Sequence, residues 1–509
     1  MAPDFWSPYL DARWHVQWAT EVASGRLLGS EAFFRAPLYP YFLGALFALV
    51  GPDLLVARLV QLLLGSGTAA LTGLLGARLC GRRAGFLAGI LFGCAASPVL
   101  FDSELLLESL FVPLIVLSML ALEAASRSPS TGRVALVGLA FGFASITRPN
   151  IVLVVPLAAL LVLVAARRAG WSTSRRAGAF CLMLLAFGIP VAPVTLHNWV
   201  VSDDFVPISW QGGVNFFIGN SAQASGDEAF MPAPTDAQTY AADGTYTDNV
   251  LSASRYAARV AAAGAVLKPS EISAYWFQQA LAWIRCHPRE WLRLTADKVF
   301  YCLGAFEIGD QRNLVECFGS WGPFEFLPRW RWLFPLAVAG LLLPGDRRGR
   351  LLLLTWSAVY AASIVAFFVT ERFRLPLYPA VCILAARGVV AGLELGTLRR
   401  WRALVVPTAA AVATALAISQ DPTGYTVAER MDALRSQASA AASRGMLARA
   451  EQLYLDALAL NPPPGRGMPP RIGGREHLPE VLKRVRAEYS ALLRLEGRTG
   501  QASAIAGPQ

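Results

Sequence analysis

Residues 150–196 read NIVLVVPLAALLVLVAARRAGWSTSRRAGAFCLMLLAFGIPVAPVTL, and this stretch decides the fold class. Two apolar runs, at 150–166 and 177–196, enclose a loop at 167–176 that carries two pairs of arginines. A chain that crosses a bilayer leaves its short Arg- and Lys-rich loops in the cytoplasm. The stretch therefore predicts two transmembrane helices joined by an inward-facing loop.

The same pattern extends in both directions along the chain. Other short basic loops lie at 80–83, 126–133, 346–350 and 399–402. Several apolar runs are shorter than the ~20 residues that a spanning helix needs, so flanking residues would have to complete them. We predict an all-α polytopic membrane bundle whose segments between the basic loops face outward. The remaining apolar runs lie at 53–79, 83–100, 105–125, 133–147, 331–344, 350–369, 376–394 and 402–419.

Composition agrees with a membrane protein. Hydrophobic residues make up 55% of the 509 residues, and the mean hydropathy is +0.45, which is too apolar for a soluble globular chain. The net charge of +10 lies largely in the inward loops, so it reflects topology and not nucleic-acid binding.

Cysteine and histidine usage bounds the metal chemistry. No cysteine pair has zinc-site spacing, and four histidines are too few for a His-rich site. We therefore predict no cofactor and no metal ligands, although carboxylates could hold a divalent cation. Cys286, Cys302 and Cys317 share one outward segment, where a disulfide is possible but its pairing stays open.

The apolar runs divide the chain into five regions. The short run at 38–50 is bounded by prolines and predicts an interfacial or re-entrant helix. The polar stretch at 222–250 predicts a flexible loop. The predicted regions are a first outward loop at 1–52, transmembrane helices at 53–197, a large outward region at 198–330, further transmembrane helices at 331–419 and a polar helical tail at 420–509.

Both ends of the chain carry expectations of their own. The first 35 residues contain no signal peptide and no apolar run, so we expect a further helix encoded upstream, with post-translational insertion of a polar N-terminus as the alternative. In the tail, a match to one tetratricopeptide repeat predicts a helix pair that docks on the membrane domain or on a partner, and a generic Ala-rich helix is the alternative. The matching positions are Gly445, Ala450, Tyr454, Ala457 and Pro462.

Three acidic side chains lie at predicted outward edges of the membrane. Asp11 opens the segment DARWHVQWA at 11–19, and Asp102 and Glu104 lie in FDSELLLES at 101–109. Acids at a membrane boundary are costly unless they are paired, hydrated or functional. We therefore predict catalytic roles for all three, with helix capping as the alternative for the two aspartates. A helix would also put Glu104 and Glu108 on one face, where they repel unless one meets a cation or a proton.

Cations in outward segments run against the topological trend, and we predict that they bind an anion. Lys298 is one of three lysines in the chain, and Arg372 and Arg374 flank one residue, so an extended turn would point both to the same side. Snorkelling surface charges are the alternative. The segment FFRAPLYPYFL at 33–43 adds an arginine and a tyrosine beside a rigid Pro-x-x-Pro. The predicted phosphate- or donor-binding residues are Arg148, Lys298, Arg372, Arg374, Arg35 and Tyr39.

Acids and cations at one membrane edge suit a substrate that is lipid on one side and phosphate on the other. The cations would hold a phosphate leaving group, and one carboxylate would take the proton of an attacking hydroxyl or amine. These roles together predict glycosyl transfer from a polyprenyl-phosphate sugar at the outward edge of the membrane.

Four segments, taken in order, give the chain a family likeness over residues 9–395. It resembles the bacterial GT-C glycosyltransferases of the glycosyltransferase-39 and protein O-mannosyltransferase-like superfamily, which includes the aminoarabinose transferases of lipid A. The segments are DARWHVQWA with FRAPLYPY at 34–41, DSELLLE at 102–108, GGVNFFIGN at 212–220 and ERFRLPLYP at 371–379.

The resemblance implies a multi-helix membrane fold and inversion at the sugar carbon. It also implies an acidic residue on a large first outward loop that acts as the general base. Asp11 matches that acid by position, and Asp102 or Glu104 matches the acid of the second outward loop. The implied partners are a polyprenyl-phosphate sugar, a lipid, glycan or protein acceptor and membrane lipids. In the family a helix normally precedes the Asp11 segment, which agrees with the expectation of a further helix encoded upstream. A glycolipid transporter and a non-catalytic scaffold remain as alternatives, although a transporter typically places polar groups at mid-membrane on broken helices.

Overall fold

The computed structural model describes residues 8, 10–227, 249–262, 264–309, 326–419, 445–460 and 477–506, together with parts of 431–442. Within these ranges all the regular secondary structure is helical. The predicted all-α class is therefore confirmed. Cys317, Pro462 and most of the loop expected at 222–250 lie outside the described residues.

The first half of the described chain contains nine α-helices and one 3₁₀ turn. Asp53 begins one of them, because its side chain accepts hydrogen bonds from the main-chain N–H groups of Leu55 (2.8 Å) and Val56 (3.2 Å). The helices are α1 (Leu10–Ala23), α2 (Leu38–Val50), α3 (Leu54–Cys80), α4 (Arg82–Gly93), α5 (Ala96–Ser103), α6 (Glu108–Arg127), α7 (Thr131–Ser145), α8 (Val155–Arg168) and α9 (Thr173–Ser202), with the 3₁₀ turn at Pro149–Val154.

The second half of the described chain contains twelve α-helices. A second 3₁₀ turn, Leu375–Leu377, joins two of them. The helices are α10 (Gln211–Gly219), α11 (Asn249–Ala261), α12 (Pro269–Cys286), α13 (Pro288–Leu303), α14 (Trp330–Leu342), α15 (Arg347–Val365), α16 (Glu371–Arg374), α17 (Tyr378–Thr397), α18 (Arg402–Ile418), α19 (Leu447–Ala459), α20 (His477–Leu495) and α21 (Thr499–Ala506).

In the part of the chain that the structure describes, five helical stretches are long and apolar enough to cross a membrane, and a sixth forms if α4 and α5 count as one span bent by 51°. The apolar run at 83–100 is thus broken at Cys94 and Ala95. The chain is a multi-pass membrane protein, as predicted. The five stretches are Leu54–Cys80, Glu108–Arg127, Pro149–Arg168, Thr173–Ser202 and Glu371–Thr397.

Small residues let the apolar helices approach closely. A Cβ on Gly85 of α4 would lie 2.3 Å from the main-chain nitrogen of Ala77 in α3. A Cβ on Gly138 of α7 would lie 2.1 Å from the carbonyl oxygen of Met183 in α9. Packing of this kind holds helices together in lipid, where burial of apolar surface gives little driving force.

The tail has a small apolar core of its own. Ala450, Tyr454 and Ala457 are buried in it, and the ring of Tyr454 stacks on that of Tyr489 with 5.6 Å between centroids. Gly445, just before α19, has a φ of 73°, which glycine adopts readily. The tetratricopeptide assignment stays a prediction.

Candidate functional site

Asp11 meets two arginines that come from distant parts of the sequence. Its Oδ1 lies 2.6 Å from Nη1 of Arg35, and its Oδ2 lies 2.7 Å from Nη1 of Arg372. Asp11 lies in the first turn of α1, Arg35 in the link before α2, and Arg372 in α16. The structure therefore brings together three of the predicted site residues, and we call them the Asp11 cluster.

The Asp11 cluster is largely but not fully buried. The side chains of Asp11, Arg35 and Arg372 keep 13%, 19% and 11% of their exposure. Burial alone would raise the pKa of Asp11, but the charges of Arg35 and Arg372 outweigh it and hold that pKa well below its usual range. The carboxylate is thus ionised and held by groups that an incoming anion can reach.

His15 and Tyr39 are two aromatic side chains near the Asp11 carboxylate. His15 is 1% exposed, and its ring meets that of Tyr39 edge-on with 4.9 Å between centroids. Burial lowers the pKa of His15 to about 3, so the imidazole is neutral at physiological pH. The hydroxyl of Tyr39 donates to Oε1 of Gln61 (3.1 Å), whose amide donates to the carbonyl of Glu104 (2.6 Å).

Asp102 and Glu104 lie where α5 ends. Asp102 packs against Gly65 of α3, where an added Cβ would come within 1.8 Å of its Oδ2. Glu104 is non-helical and precedes α6, which begins at Glu108. The expectation that Glu104 and Glu108 share a helix face is therefore wrong, because the chain turns between them.

Glu108 and Arg148 form a separate buried ion pair. The two side chains are in direct contact and keep 1% and 11% of their exposure. The guanidinium of Arg148 also lies over the ring of Phe373, 4.5 Å from its centroid. Arg148 therefore contacts the residue between Arg372 and Arg374, while its charge is already compensated.

Lys298 is fully buried in α13. Its ammonium donates to Oδ1 of Asn220 at 3.1 Å, and the indole of Trp291 donates to the same oxygen at 3.0 Å. The amide of Asn220 donates in turn to the carbonyl oxygens of Phe216 and Ala366, both at 2.9 Å. Burial lowers the pKa of Lys298 to about 7.

Arg372 and Arg374 diverge, so the expectation of an extended turn that points both to one side is wrong. They lie on the helical turn α16. Arg372 reaches Asp11, whereas Arg374 is 0% exposed and pairs directly with Glu371. Two residues on a helix are about 200° apart, because each turn contains 3.6 residues.

Sequence reasoning missed several of these partners. Glu371 stands in the motif ERFRLP, and its place before two arginines was the available signal. Gln61 and Asn220 had no signal of charge, although Asn220 ends the motif GGVNFFIGN. Among the residues that the structure describes, no group of three or more His, Cys, Asp and Glu side chains could hold a metal ion. Cys286 and Cys302 are free thiols.

Comparison with known proteins adds a family match for part of the chain. Residues 34–197 match the family model of the dolichyl-phosphate-mannose-protein mannosyltransferases. This segment contains Arg35, Tyr39, Asp102 and Arg148. Over these residues the match confirms the predicted resemblance to the GT-C glycosyltransferases and agrees with the predicted enzyme class. No match is found among curated protein sequences.

Two solved structures resemble the chain at low identity. ArnT from Cupriavidus metallidurans bound to undecaprenyl phosphate is 16% identical, with 97% of this chain and 75% of that chain covered and a TM-score of 0.44. The archaeal oligosaccharyltransferase AglB from Archaeoglobus fulgidus, in complex with an inhibitory peptide and a dolichol-phosphate, is 11% identical, with 84% and 54% covered and a TM-score of 0.39.

Proposed function

We propose that the chain transfers a sugar from a polyprenyl-phosphate donor to a lipid, glycan or protein acceptor at the outer face of the bacterial cytoplasmic membrane, with inversion at the sugar carbon. One observation carries the proposal: Asp11 is held between Arg35 and Arg372 in a cluster that keeps some exposure. The family that matches residues 34–197 is named for a lipid-phosphate sugar donor, which agrees with this chemistry.

Topology supports the outer face. Glu371–Thr397 ends just before the basic loop at 399–402, and Leu54–Cys80 ends at the basic loop 80–83. Their other ends, next to Arg372 and next to α2, are then outward by the positive-inside rule. The Asp11 cluster lies between those two outward ends.

The two arginines suit the leaving group. A guanidinium offers a planar fork of N–H donors that matches the oxygens of a phosphate. Arg35 and Arg372 approach from different segments, so together they would grip the phosphate as negative charge grows on it during cleavage of the sugar–phosphate bond.

Asp11 suits the role of general base. It would take the proton of the acceptor hydroxyl or amine as that atom bonds to the sugar carbon and the phosphate leaves with the electron pair of the broken bond. Both arginines suppress its basicity while they pair with it. A donor phosphate competes for the same arginines, so donor binding itself would raise the pKa of Asp11.

The other predicted site residues have supporting places in this proposal. Asp102 and Glu104 lie at the end of α5, and the main-chain carbonyl of Glu104 is joined to Tyr39 through Gln61. We propose that these two acids orient the acceptor or the donor sugar. Lys298 and Arg148 already have buried partners, Asn220 and Glu108. We propose that these two cations hold the outward segments around the Asp11 cluster.

Transport of a glycolipid is the second candidate, because the α4–α5 pair is bent by 51° as a broken span would be. The two functions differ in chemistry. A transferase releases polyprenyl phosphate from its donor, whereas a transporter leaves the sugar–phosphate bond intact.

The test is donor turnover by the purified chain in nanodiscs, with radiolabelled polyprenyl-phosphate mannose and membranes of a deletion strain as the source of acceptor. Asp11→Asn keeps the shape but removes the base, and we expect a loss on the order of 10²–10⁴-fold. Glu21→Gln, on the exposed side of the same helix, is the matched control and should keep wild-type turnover. If the donor stays intact in nanodiscs but the wild-type chain moves it across the bilayer of proteoliposomes, the result would favour transport.

Thiol labelling in intact cells tests the outer face. Cys286 is exposed at the end of α12, and Ser128 is exposed in the basic loop 126–133. In a chain with Cys286 as its one cysteine, a membrane-impermeant maleimide should react without permeabilisation. A chain with Ser128→Cys as its one cysteine should react only after the cells are permeabilised. The reverse labelling pattern would contradict the proposed orientation of the chain in the membrane.

A further inference from the structure

A buried ion pair holds the helical turn that carries Arg372. Glu371 and Arg374 keep 1% and 0% of their side-chain exposure and contact each other directly. Arg372 lies between them in the sequence and points the other way, to Asp11. The position of Arg372 over Asp11 therefore depends on how firmly its two neighbours are held.

Arg374 is held by main-chain oxygens in addition to Glu371. It donates to the carbonyls of Gly304 at 2.8 Å and Phe306 at 2.5 Å. The main-chain N–H of Glu371 donates to the carbonyl of Ile308 at 2.9 Å. Three hydrogen bonds thus connect the segment 304–308, which follows α13, to α16.

Glu371 is held from a second direction. Its Oε1 accepts from the hydroxyl of Tyr378 at 2.7 Å, and that hydroxyl lies 2.8 Å from Oγ of Ser97. Tyr378 begins α17 and Ser97 lies in α5, which ends beside Asp102. The buried pair therefore joins the Arg372 turn to the helix that carries the second acidic site.

We infer that Arg374 and Glu371 are positioning residues that act on the donor through Arg372, and that Arg374 is not a ligand of the donor phosphate. This inference rests on the proposed function. Arg374 donates to the carbonyls of Tyr301, Gly304 and Phe306 and to the carboxylate of Glu371, and none of its side chain is exposed. A guanidinium so enclosed cannot reach a phosphate without breaking the contacts that hold the turn.

A double-mutant cycle separates the two roles. The variants are Arg374→Lys, Arg372→Ala and the double variant, each measured for kcat and KM with polyprenyl-phosphate mannose. Lysine cannot span two carbonyls and a carboxylate as the guanidinium fork does, so the turn shifts. A shift of about 1 Å at a site can cost on the order of 10²-fold in kcat/KM.

If Arg374 acts through Arg372, then Arg374→Lys should have no further effect on kcat/KM in a chain that already carries Arg372→Ala. The double variant should then match Arg372→Ala within about twofold. If Arg374 binds phosphate directly, the two losses multiply, which would overturn the inference. Where turnover falls below detection, the same double-mutant cycle can be measured as the binding of undecaprenyl phosphate to each variant by native mass spectrometry.

Stability provides the control against a merely structural role. Arg387 holds the carbonyls of Leu343 and Pro344 at the inward part of α17 and is 5% exposed, so Arg387→Lys disturbs a similar contact away from the site. Both Lys variants should lower Tm, but Arg387→Lys should keep kcat/KM within about twofold. An Arg374→Lys chain with a lower Tm and unchanged kcat/KM would contradict the inference.

Tyr378→Phe covers the case in which Arg374→Lys does not fold. It removes one hydroxyl that Glu371 and Ser97 share and leaves the ion pair in place. We expect a fall in kcat/KM that disappears in the Arg372→Ala background. An equal fall in both backgrounds would again overturn the inference. Absence of turnover by the wild-type chain would instead count against the proposed function.

Discussion

Arg372 and Arg374 are two residues apart in one motif, and their surroundings differ completely. Arg372 keeps 11% of its exposure and meets Asp11, whose other oxygen meets a second arginine. Arg374 keeps none and meets Glu371 and main-chain carbonyls. An ion pair at an accessible edge can exchange partners with a substrate, whereas a sealed pair can only hold its own helix. Burial and partner type, more than residue type, separate the two roles.

The largest expected effect comes from removing both arginines of the Asp11 cluster. Loss of one donor to a developing negative charge costs on the order of 10²–10³-fold in rate. We expect Arg35→Ala with Arg372→Ala to lower kcat/KM by at least about 10³-fold, measured as donor turnover in nanodiscs. A double variant with near wild-type turnover would move the phosphate site away from Asp11.

Removing the carboxylate from the Glu371–Arg374 pair and from the Asp11 cluster should lower the free energy of unfolding by different amounts. Glu371→Gln leaves the buried charge of Arg374 without its carboxylate, which typically costs about 3–5 kcal/mol in the free energy of unfolding. Asp11→Asn leaves two arginines that keep a small part of their exposure and can turn towards water, so we expect a smaller cost than for Glu371→Gln. Denaturant unfolding in the same detergent measures both, and equal costs would erase the distinction drawn between the two pairs.

Charge-conserving substitution of Arg372 should have a smaller effect. Lysine keeps the positive charge but loses the second parallel hydrogen bond to a phosphate. We expect Arg372→Lys to raise KM for polyprenyl-phosphate mannose by about tenfold and to change Tm little. Glu31 pairs with Arg255 on an exposed surface, so Arg255→Lys provides the control and should leave both quantities as they are.

The smallest effect concerns Lys298, which is buried like Arg374 but titrates. Burial holds its pKa at about 7 in the folded chain, below the usual value for lysine, so between pH 7 and pH 10 the unfolded chain binds the extra proton. Stability should therefore rise with pH through this window and fall as the pH drops towards 7. We expect Tm at pH 9 to exceed Tm at pH 7 by about 2–4 °C for this one group.

Lys298→Met should remove that part of the pH dependence, because methionine has a similar shape and no proton to gain. The difference between the wild-type and Lys298→Met curves isolates this residue from other titrating groups. Lys268 makes an exposed ion pair with Asp203, and Lys268→Met is the matched control. Parallel curves for wild type and Lys298→Met would contradict the assigned shift.

The sequence predicted the helices well, because a bilayer imposes one strong rule on apolar length and loop charge. The runs at 150–166 and 177–196 correspond to α8 and α9. The break between α4 and α5 was not predicted, since both halves are apolar and hydropathy carries no sign of a bend. Short helices such as α16 escape the same reasoning, because four residues show no periodicity.

The site was predicted in part for a similar reason. Asp11, Arg35 and Arg372 were each singled out by charge at a membrane edge, but nothing in the sequence paired residue 11 with residue 372. Arg374 has the same sequence signal as Arg372, and only their burial and their partners in the folded chain distinguish them. Asn220 and Gln61 carry no charge, and their roles as shared hydrogen-bond partners appear once the helices are packed.

The span of sequence that closes the Asp11 cluster has a consequence for biosynthesis. Asp11 can meet Arg35 as soon as the first hairpin of helices leaves the ribosome, but Arg372 is made more than 300 residues later, since the two partners are 361 residues apart. Until then the nascent chain holds one arginine on its aspartate and lacks the other. A product that ends before Glu371 would contain four of the five spans that the structure describes and would lack the second arginine of the site.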